Sequence, residues 1–288
     1  MRSRTRTWGA IGVATLVAVL AIAYAQLPAI GAGGLLHPAR HVTNQPVPAS
    51  CAAADLAGEG ITLRGWHCPA TAGARRGTII YLHGVADNRG SSVGVIERFT
   101  RRGYDVIAYD SRAHGESGGD ACTYGVFEKR DLRSVVDTIA AGPVVLIGTS
   151  LGAAVALQEA ADDPRVTAIV AAETFSDLRT VASERAPFFF SRSAIDRTFR
   201  LAEEQARLAV DSASPVAAAP RITARVLLIH GASDIETLPA HSQRVYDALR
   251  GPKRLLLVPD AGHNGSLRGD VWLEVERWLD NSHTLRNE

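Results

Sequence analysis

The stretch PVVLIGTSLGAAVALQEAA, residues 143–161, decides how the rest of the chain is read. Its first half, Val144–Ile147, is a short β-branched apolar run of the kind that forms a strand buried on both faces. Its second half, Leu151–Ala161, is alanine-rich and helical. Between them lies Gly148-Thr149-Ser150-Leu151-Gly152, a G-x-S-x-G pattern at a strand-to-helix turn. Such a turn pushes a serine hydroxyl out at the end of a sheet and sets it beside free helix N–H groups, where developing negative charge is favoured. A second match, Gly115-Glu116-Ser117-Gly118-Gly119, sits in a polar glycine-rich loop with no strand directly before it and no helix directly after. Context therefore selects Ser150 as the candidate nucleophile.

Working outward, strand and helix signals alternate. Strands are predicted at Ile61–His67, Thr78–His83, Tyr104–Asp110, Val144–Ile147, Val166–Ala171, Arg225–His230 and Arg254–Val258. Helices are predicted at Val93–Arg102, Phe127–Ala140, Leu151–Ala161, Pro239–Leu249 and Asp270–Leu279. Alternation of this kind implies βαβ units and an α/β fold with a mostly parallel sheet covered on both faces. About fifty residues separate the strand ending near Ala172 from the one at Arg225, far longer than a usual connection. This insertion, about 175–214, carries Phe188-Phe189-Phe190 and an amphipathic stretch around Ala194–Val210, and reads as a small helical lid.

A serine hydroxyl needs a base to take its proton, and the base needs a carboxylate to orient it, in the chain order Ser, Asp/Glu, His. His263 lies in PDAGHNG, just past the last predicted strand, where open α/β sheets place their chemistry. His83 and His230 close strands within His-Gly pairs and read as loop-holding residues. Asp234, past the strand ending at His230, is the candidate acid. Glu173 is the alternative, Asp177 lies beyond the same strand, and Asp260 reads as a turn residue. Two backbone N–H groups are candidates for an oxyanion hole: that of Leu151, after the nucleophile, and that of Val85, in the loop His83-Gly84-Val85-Ala86, with Ala86 as its neighbour alternative.

With these residues assembled, the chain resembles the serine-hydrolase branch of the α/β-hydrolase superfamily over roughly Gly58 to Leu279. The matching pieces are YLHGVADN (81–88), YDSRAHGESGG (109–119), GTSLG (148–152), HGASD (230–234) and AGH (261–263). It is most similar to small, membrane-anchored bacterial hydrolases of the esterase and serine-aminopeptidase type. The resemblance implies an eight-stranded sheet with a lid after the sixth strand, and a triad of Ser150, Asp234 and His263. It further implies cleavage of a carboxylic ester or related acyl bond of a small-molecule substrate. A peptidase, an amidase or an acyltransferase on the same fold is the alternative, and a non-catalytic binding protein on a hydrolase scaffold is a remote one. Ile235-Glu236 departs from the small apolar residues that follow the acid in many relatives.

Composition narrows the partners. The net charge is +1 and no basic run occurs within the body, so there is no electrostatic footprint for nucleic acid. No metal or organic cofactor is expected: the cysteines, Cys51, Cys68 and Cys122, form no close ligand pair. Arg2, Arg4 and Arg6 precede Trp8–Leu36, which contains no charged residue and exceeds the roughly 20 apolar residues a spanning helix needs. Residues 1–37 therefore read as a transmembrane anchor with the body outside the cytoplasm, or as a signal peptide cleaved after Ala23-Tyr24-Ala25 to release it. Residues 38–50, with three prolines, read as a linker, and 51–288 as the catalytic domain. In an oxidising compartment Cys51 and Cys68, which bracket a hairpin, either pair or remain buried thiols, and Cys122 is left as a small packed residue.

Overall fold

The computed structural model describes residues 2–280. Among them, eight strands form one sheet: β1 (Ala52–Ala57), β2 (Thr62–Cys68), β3 (Gly77–Leu82), β4 (Tyr104–Tyr109), β5 (Val144–Thr149), β6 (Val166–Ala172), β7 (Arg225–Gly231) and β8 (Lys253–Val258). Their spatial order is β1-β2-β4-β3-β5-β6-β7-β8. Pairing is antiparallel between β1 and β2 and between β2 and β4, and parallel everywhere else. The central strands β3 and β5 are buried along almost their whole length, which is why they read as unbroken apolar runs. β1 escapes such a reading because it is a short, exposed edge strand with the sequence AAADLA. The Cys51–Cys68 disulfide closes its hairpin, one residue pair beyond Ala52 opposite His67.

The helices are α1 (Arg2–Leu36), α2 (Val93–Thr100), α3 (Glu128–Asp137), α4 (Leu151–Ala160), α5 (Leu178–Arg185), α6 (Arg192–Ala206), α7 (Pro215–Ala218), α8 (Ala240–Ala248) and α9 (Gly269–Asp280). One face of the sheet buries α3, α4 and α8 through Leu132, Val135, Leu157 and Val245. The other buries α2 and α9 through Ile96, Phe99, Val275 and Leu279. Every residue of α4 is buried. It carries no polar face because it lies under the helices of the β6–β7 insertion as well as against the sheet.

That insertion contributes a third apolar cluster, in which Leu178 and Val181 of α5 and Phe199 and Ala202 of α6 meet Ala154 of α4. The end of α1 joins it. Pro28, Ala32 and Leu36, spaced four apart on one stripe, are buried, and α1 approaches α6 so closely that a Cβ on Gly31 would lie 2.9 Å from Thr198 Oγ1. The Leu36 carbonyl accepts the Cys122 N–H at 2.8 Å, and Tyr124 donates its hydroxyl to the Leu35 carbonyl at 3.1 Å. The uncharged run thus divides in two. Between residues 27 and 36 one stripe packs on the domain, while Ala14–Gln26 are exposed. By length and composition, Ala14–Leu36 is able to cross a membrane.

Candidate active site

Ser150 occupies a turn that only a tightly packed fold enforces. Its φ of 48° and ψ of −110° lie in a region that residues with a Cβ avoid, at a typical cost of about 1–3 kcal/mol. Two glycines make the turn possible. A Cβ on Gly148 would sit 2.4 Å from the Gly152 carbonyl carbon, and one on Gly152 would sit 2.1 Å from the Leu82 carbonyl oxygen. The Ser150 N–H is fixed to the Ala172 carbonyl at 2.8 Å. Its side chain therefore projects from the carboxyl end of β5 at the N-terminus of α4.

His263 arrives from the loop after β8, flanked by the left-handed residues Asp260 and Asn264. Its Nε2 lies 3.0 Å from Ser150 Oγ, and its Nδ1 lies 2.7 Å from Asp234 Oδ2. With Nδ1–H donated to the carboxylate, Nε2 is left as the acceptor for the serine hydroxyl. Asp234 is itself tied down: Oδ1 accepts the N–H groups of Glu236 and Thr237, both at 2.9 Å. Burial alone would raise the Asp234 carboxyl, but hydrogen bonds from His230, His263 and the Thr237 N–H outweigh it. The group is held well below the usual carboxylate range. The three residues, distant along the chain, meet at one rim of the sheet.

The other candidates serve elsewhere. Glu173, 1% exposed and with φ of 56°, accepts the N–H of Asn264 and, at 3.0 Å, that of Ser266. It grips the loop that carries His263 and makes no contact with the imidazole among the hydrogen bonds observed. Asp177 caps α5 by accepting the Thr180 N–H at 2.8 Å. Ser117, the second G-x-S-x-G serine, is buried; its hydroxyl donates to the Asp110 carbonyl and accepts the Arg64 N–H. Gly84 passes over Ser150, where a Cβ would lie 3.6 Å from Ser150 Cβ, and this sets Val85 and the left-handed Ala86 beside it. His83 fastens that loop: Nδ1–H donates to the Gly84 carbonyl at 2.7 Å and Nε2 accepts the Ser111 N–H at 2.9 Å. Burial lowers its pKa, and His114, edge-on to it at 5.2 Å between ring centres, is pushed down to about 4 by burial and by His83.

The loop that carries Ile235-Glu236 meets the β6–β7 insertion, though among the described residues no contact accounts for the two side chains themselves. Ile235 is exposed, and the Glu236 carbonyl accepts Arg185 Nε at 2.6 Å, with Thr237 Oγ1 accepting from the same guanidinium at 2.6 Å. The loop of the acid is therefore bound to α5 of the β6–β7 insertion. A cavity of about 340 Å³ adjoins the site, lined by Thr149, Glu173, Asn264 and Trp272 among others.

Comparison with known proteins completes the assignment. Residues 77–221 match the family model of the alpha/beta hydrolase fold, and YqkD of Bacillus subtilis (strain 168) is 30% identical over 224 residues, 71% of each chain. This chain belongs to the α/β-hydrolase family. YfhR of Escherichia coli (strain K12) is 28% identical to this α/β-hydrolase over 230 residues, 75% of each chain. Among solved structures, the Pyrococcus furiosus esterase Pf2001 superposes with a TM-score of 0.66 at 24% identity, covering 85% of this chain and 96% of that one. An acetyl xylan esterase from Paenibacillus sp. R4 gives 0.64 at 20%, covering 90% and 93%. The superpositions establish the shared fold of this α/β-hydrolase.

Proposed function

We propose that the chain is a serine hydrolase that cleaves carboxylic esters through an acyl-enzyme on Ser150. The observation that carries this reading is the continuous run Asp234 Oδ2–His263 Nδ1, 2.7 Å, and His263 Nε2–Ser150 Oγ, 3.0 Å, ending at a strained elbow. His263 takes the hydroxyl proton as Ser150 Oγ bonds to the acyl carbon, and the imidazolium that forms is stabilised by Asp234. The carbonyl oxygen, now an oxyanion, is received by the backbone N–H groups of Leu151 and Val85, each such donor contributing about 3 kcal/mol to the transition state. His263 returns its proton to the departing alkoxide. Water, deprotonated by His263, then attacks the ester on Ser150, and the acid leaves as the hydroxyl is restored.

The Cys51–Cys68 disulfide favours an oxidising compartment, and the apolar half of α1 favours attachment to a membrane. Together they support a catalytic domain held outside the cytoplasm. The test is covalent labelling by a fluorophosphonate probe alongside hydrolysis of p-nitrophenyl esters. Wild-type protein is expected to do both and Ser150→Ala to do neither; retention of full esterase activity by Ser150→Ala removes the assignment.

A further inference from the structure

Of the three consecutive phenylalanines in the β6–β7 insertion, Phe188 and Phe189 do not pack it onto its domain. Phe188 is 99% exposed and Phe189 49%, the two rings edge-on to each other at 5.5 Å, at the turn that leads into α6. Only Phe190 turns inward, toward Gly31 of α1. Exposing two adjacent aromatic rings is costly in water and marks a surface that meets something apolar.

The packing of α1 on α6 says what that is. Tyr24 donates its hydroxyl to Ser191 Oγ at 2.8 Å, and Gly31 lies against Thr198. Both contacts advance by seven residues, so the two helices run parallel. The start of α6, and the phenylalanines just before it, therefore stand level with Tyr24. Tyr24 is also where α1 parts from the protein. From Trp8 to Tyr24 every side chain described is exposed, including Ile11, Leu16, Val17, Leu20 and Ile22. An aromatic residue stands at each end of this run, Trp8 and Tyr24, about 24 Å apart along the helix axis, close to the hydrocarbon thickness of a bilayer and in the positions where such rings anchor at its two interfaces. Charge completes the pattern. Arg192, Arg197 and Arg200 are exposed on α6 directly behind the aromatic tip, with Asp196 the one acidic residue among them; aromatic tips backed by arginine suit a lipid headgroup surface.

We propose that Phe188 and Phe189 enter the same leaflet that α1 enters at Tyr24, so that the insertion is docked on the membrane and the enzyme acts on acyl groups presented from it. This rests on the reading of Ser150 as the nucleophile and of α1 as an intact span. An apolar groove of about 330 Å³ between α1 and the insertion, bordered by Gly31, Leu35, Pro187, Phe190 and Phe199, opens beside the same tip and gives a lipid chain a path out of the leaflet. Arg185, the last residue of α5 and three positions before Phe188, ties the insertion to the Asp234 loop, so docking at the tip also bears on the position of that loop.

The experiment uses the full chain in vesicles of phosphatidylcholine with a minor share of phosphatidylglycerol. Phe188→Cys accepts an environment-sensitive dye selectively, because Cys51 and Cys68 are bonded to each other and Cys122 is buried. A dye at 188 is expected to shift to the blue and to be quenched by lipids carrying a nitroxide near the headgroup. A dye at Glu97→Cys, on α2 of the opposite face, is not. The double variant Phe188→Asp/Phe189→Asp is expected to lose on the order of tenfold in hydrolysis of a long-chain ester embedded in the vesicle, with p-nitrophenyl acetate cleaved as by wild type. A dye at 188 that behaves like the one at 97, or a double variant that cleaves both esters at wild-type rates, overturns the proposal. Wild-type protein that cleaves no ester while position 188 is quenched instead overturns the reading of Ser150 and leaves the docking surface standing.

Discussion

Asp234–His263–Ser150 and Glu184–His241–Ser176 hold the same three functional groups at nearly the same spacings. The first measures 2.7 and 3.0 Å, the second 2.8 and 2.8 Å. Their surroundings differ. Ser176 is completely buried and precedes the cap of α5, and its single hydroxyl proton goes to Asp177 Oδ2 at 2.8 Å and not to the imidazole. His241 Nδ1, the nitrogen facing it, already accepts the Ser176 N–H at 3.1 Å and lies 3.3 Å from the Arg244 guanidinium. That imidazole is saturated with donors and has no task for a further proton. His263 Nε2 faces a single hydroxyl at a strained turn, beside the first N–H groups of α4. Spacing alone does not make a serine reactive; an acceptor nitrogen free of other donors and a position at a helix N-terminus set the Ser150 chain apart.

The widest separation between the two is expected at the serines. Ser150→Ala should lower kcat/KM on p-nitrophenyl butyrate on the order of 10⁴-fold or more, whereas Ser176→Ala should stay within about twofold and cost about 1 kcal/mol in urea unfolding. Equal losses in the two variants would place Ser176 in the chemistry and break the contrast. The carboxylates come next. Asp234→Asn should cost about 10³-fold, because the amide favours the wrong imidazole tautomer. Glu184→Gln, with a partly exposed carboxylate, should change activity less than about twofold and stability by less than about 1 kcal/mol.

Glu173 sharpens the contrast from another side, since it supports the loop of His263 without belonging to the Asp234–His263–Ser150 chain. Glu173→Gln replaces one acceptor oxygen by an amide NH₂ that faces a backbone N–H of Asn264 or Ser266. The loop of His263 should loosen, with kcat falling about tenfold while KM for a small soluble ester is unchanged. Glu173→Asp, which keeps the charge, should recover part of the loss. A fall of the same size in KM, or none in kcat, would return Glu173 to a purely structural role.

How much of this was legible along the chain follows from how local each feature is. The elbow is local: one strand, two glycines, one serine and one alanine-rich helix within nineteen residues, so the fold followed from it and from the alternation around it. β1 was legible only as the first arm of the hairpin between Cys51 and Cys68, because an edge strand of sequence AAADLA has neither the alternation nor the β-branched residues that mark a strand. Glu173 stood in the sequence as an alternative acid. Only the fold reveals that its oxygens are filled by the N–H groups of residues 264 and 266, some ninety positions away. The division of α1 at residue 27 was equally hidden, since apolar residues that face a lipid and apolar residues that face α6 look the same as letters. His241 carries no motif at all.

The smallest expected effect separates the two chains by acid. His241 is held neutral below the ordinary histidine value, first by burial and further by Arg244, against the pull of Glu184. The unfolded chain takes up that proton near pH 6.5 and the folded one resists it, so stability falls as pH drops below about 6.5. Asp234 acts in the same direction but lower. Its carboxyl is depressed in the fold, so its contribution is intact above about pH 4, the unfolded value, and is lost as pH falls through the folded value. His241→Gln should therefore flatten the urea midpoint between pH 7 and 5 relative to wild type, with the remaining slope left to the buried pair His83 and His114 and, in the opposite sense, to Glu159, whose carboxyl burial pushes up to about 7. Asp234→Asn should flatten the curve below about pH 4. An Asp234→Asn curve that keeps the wild-type fall below about pH 4 would break this separation of the two carboxylate–histidine pairs by acid.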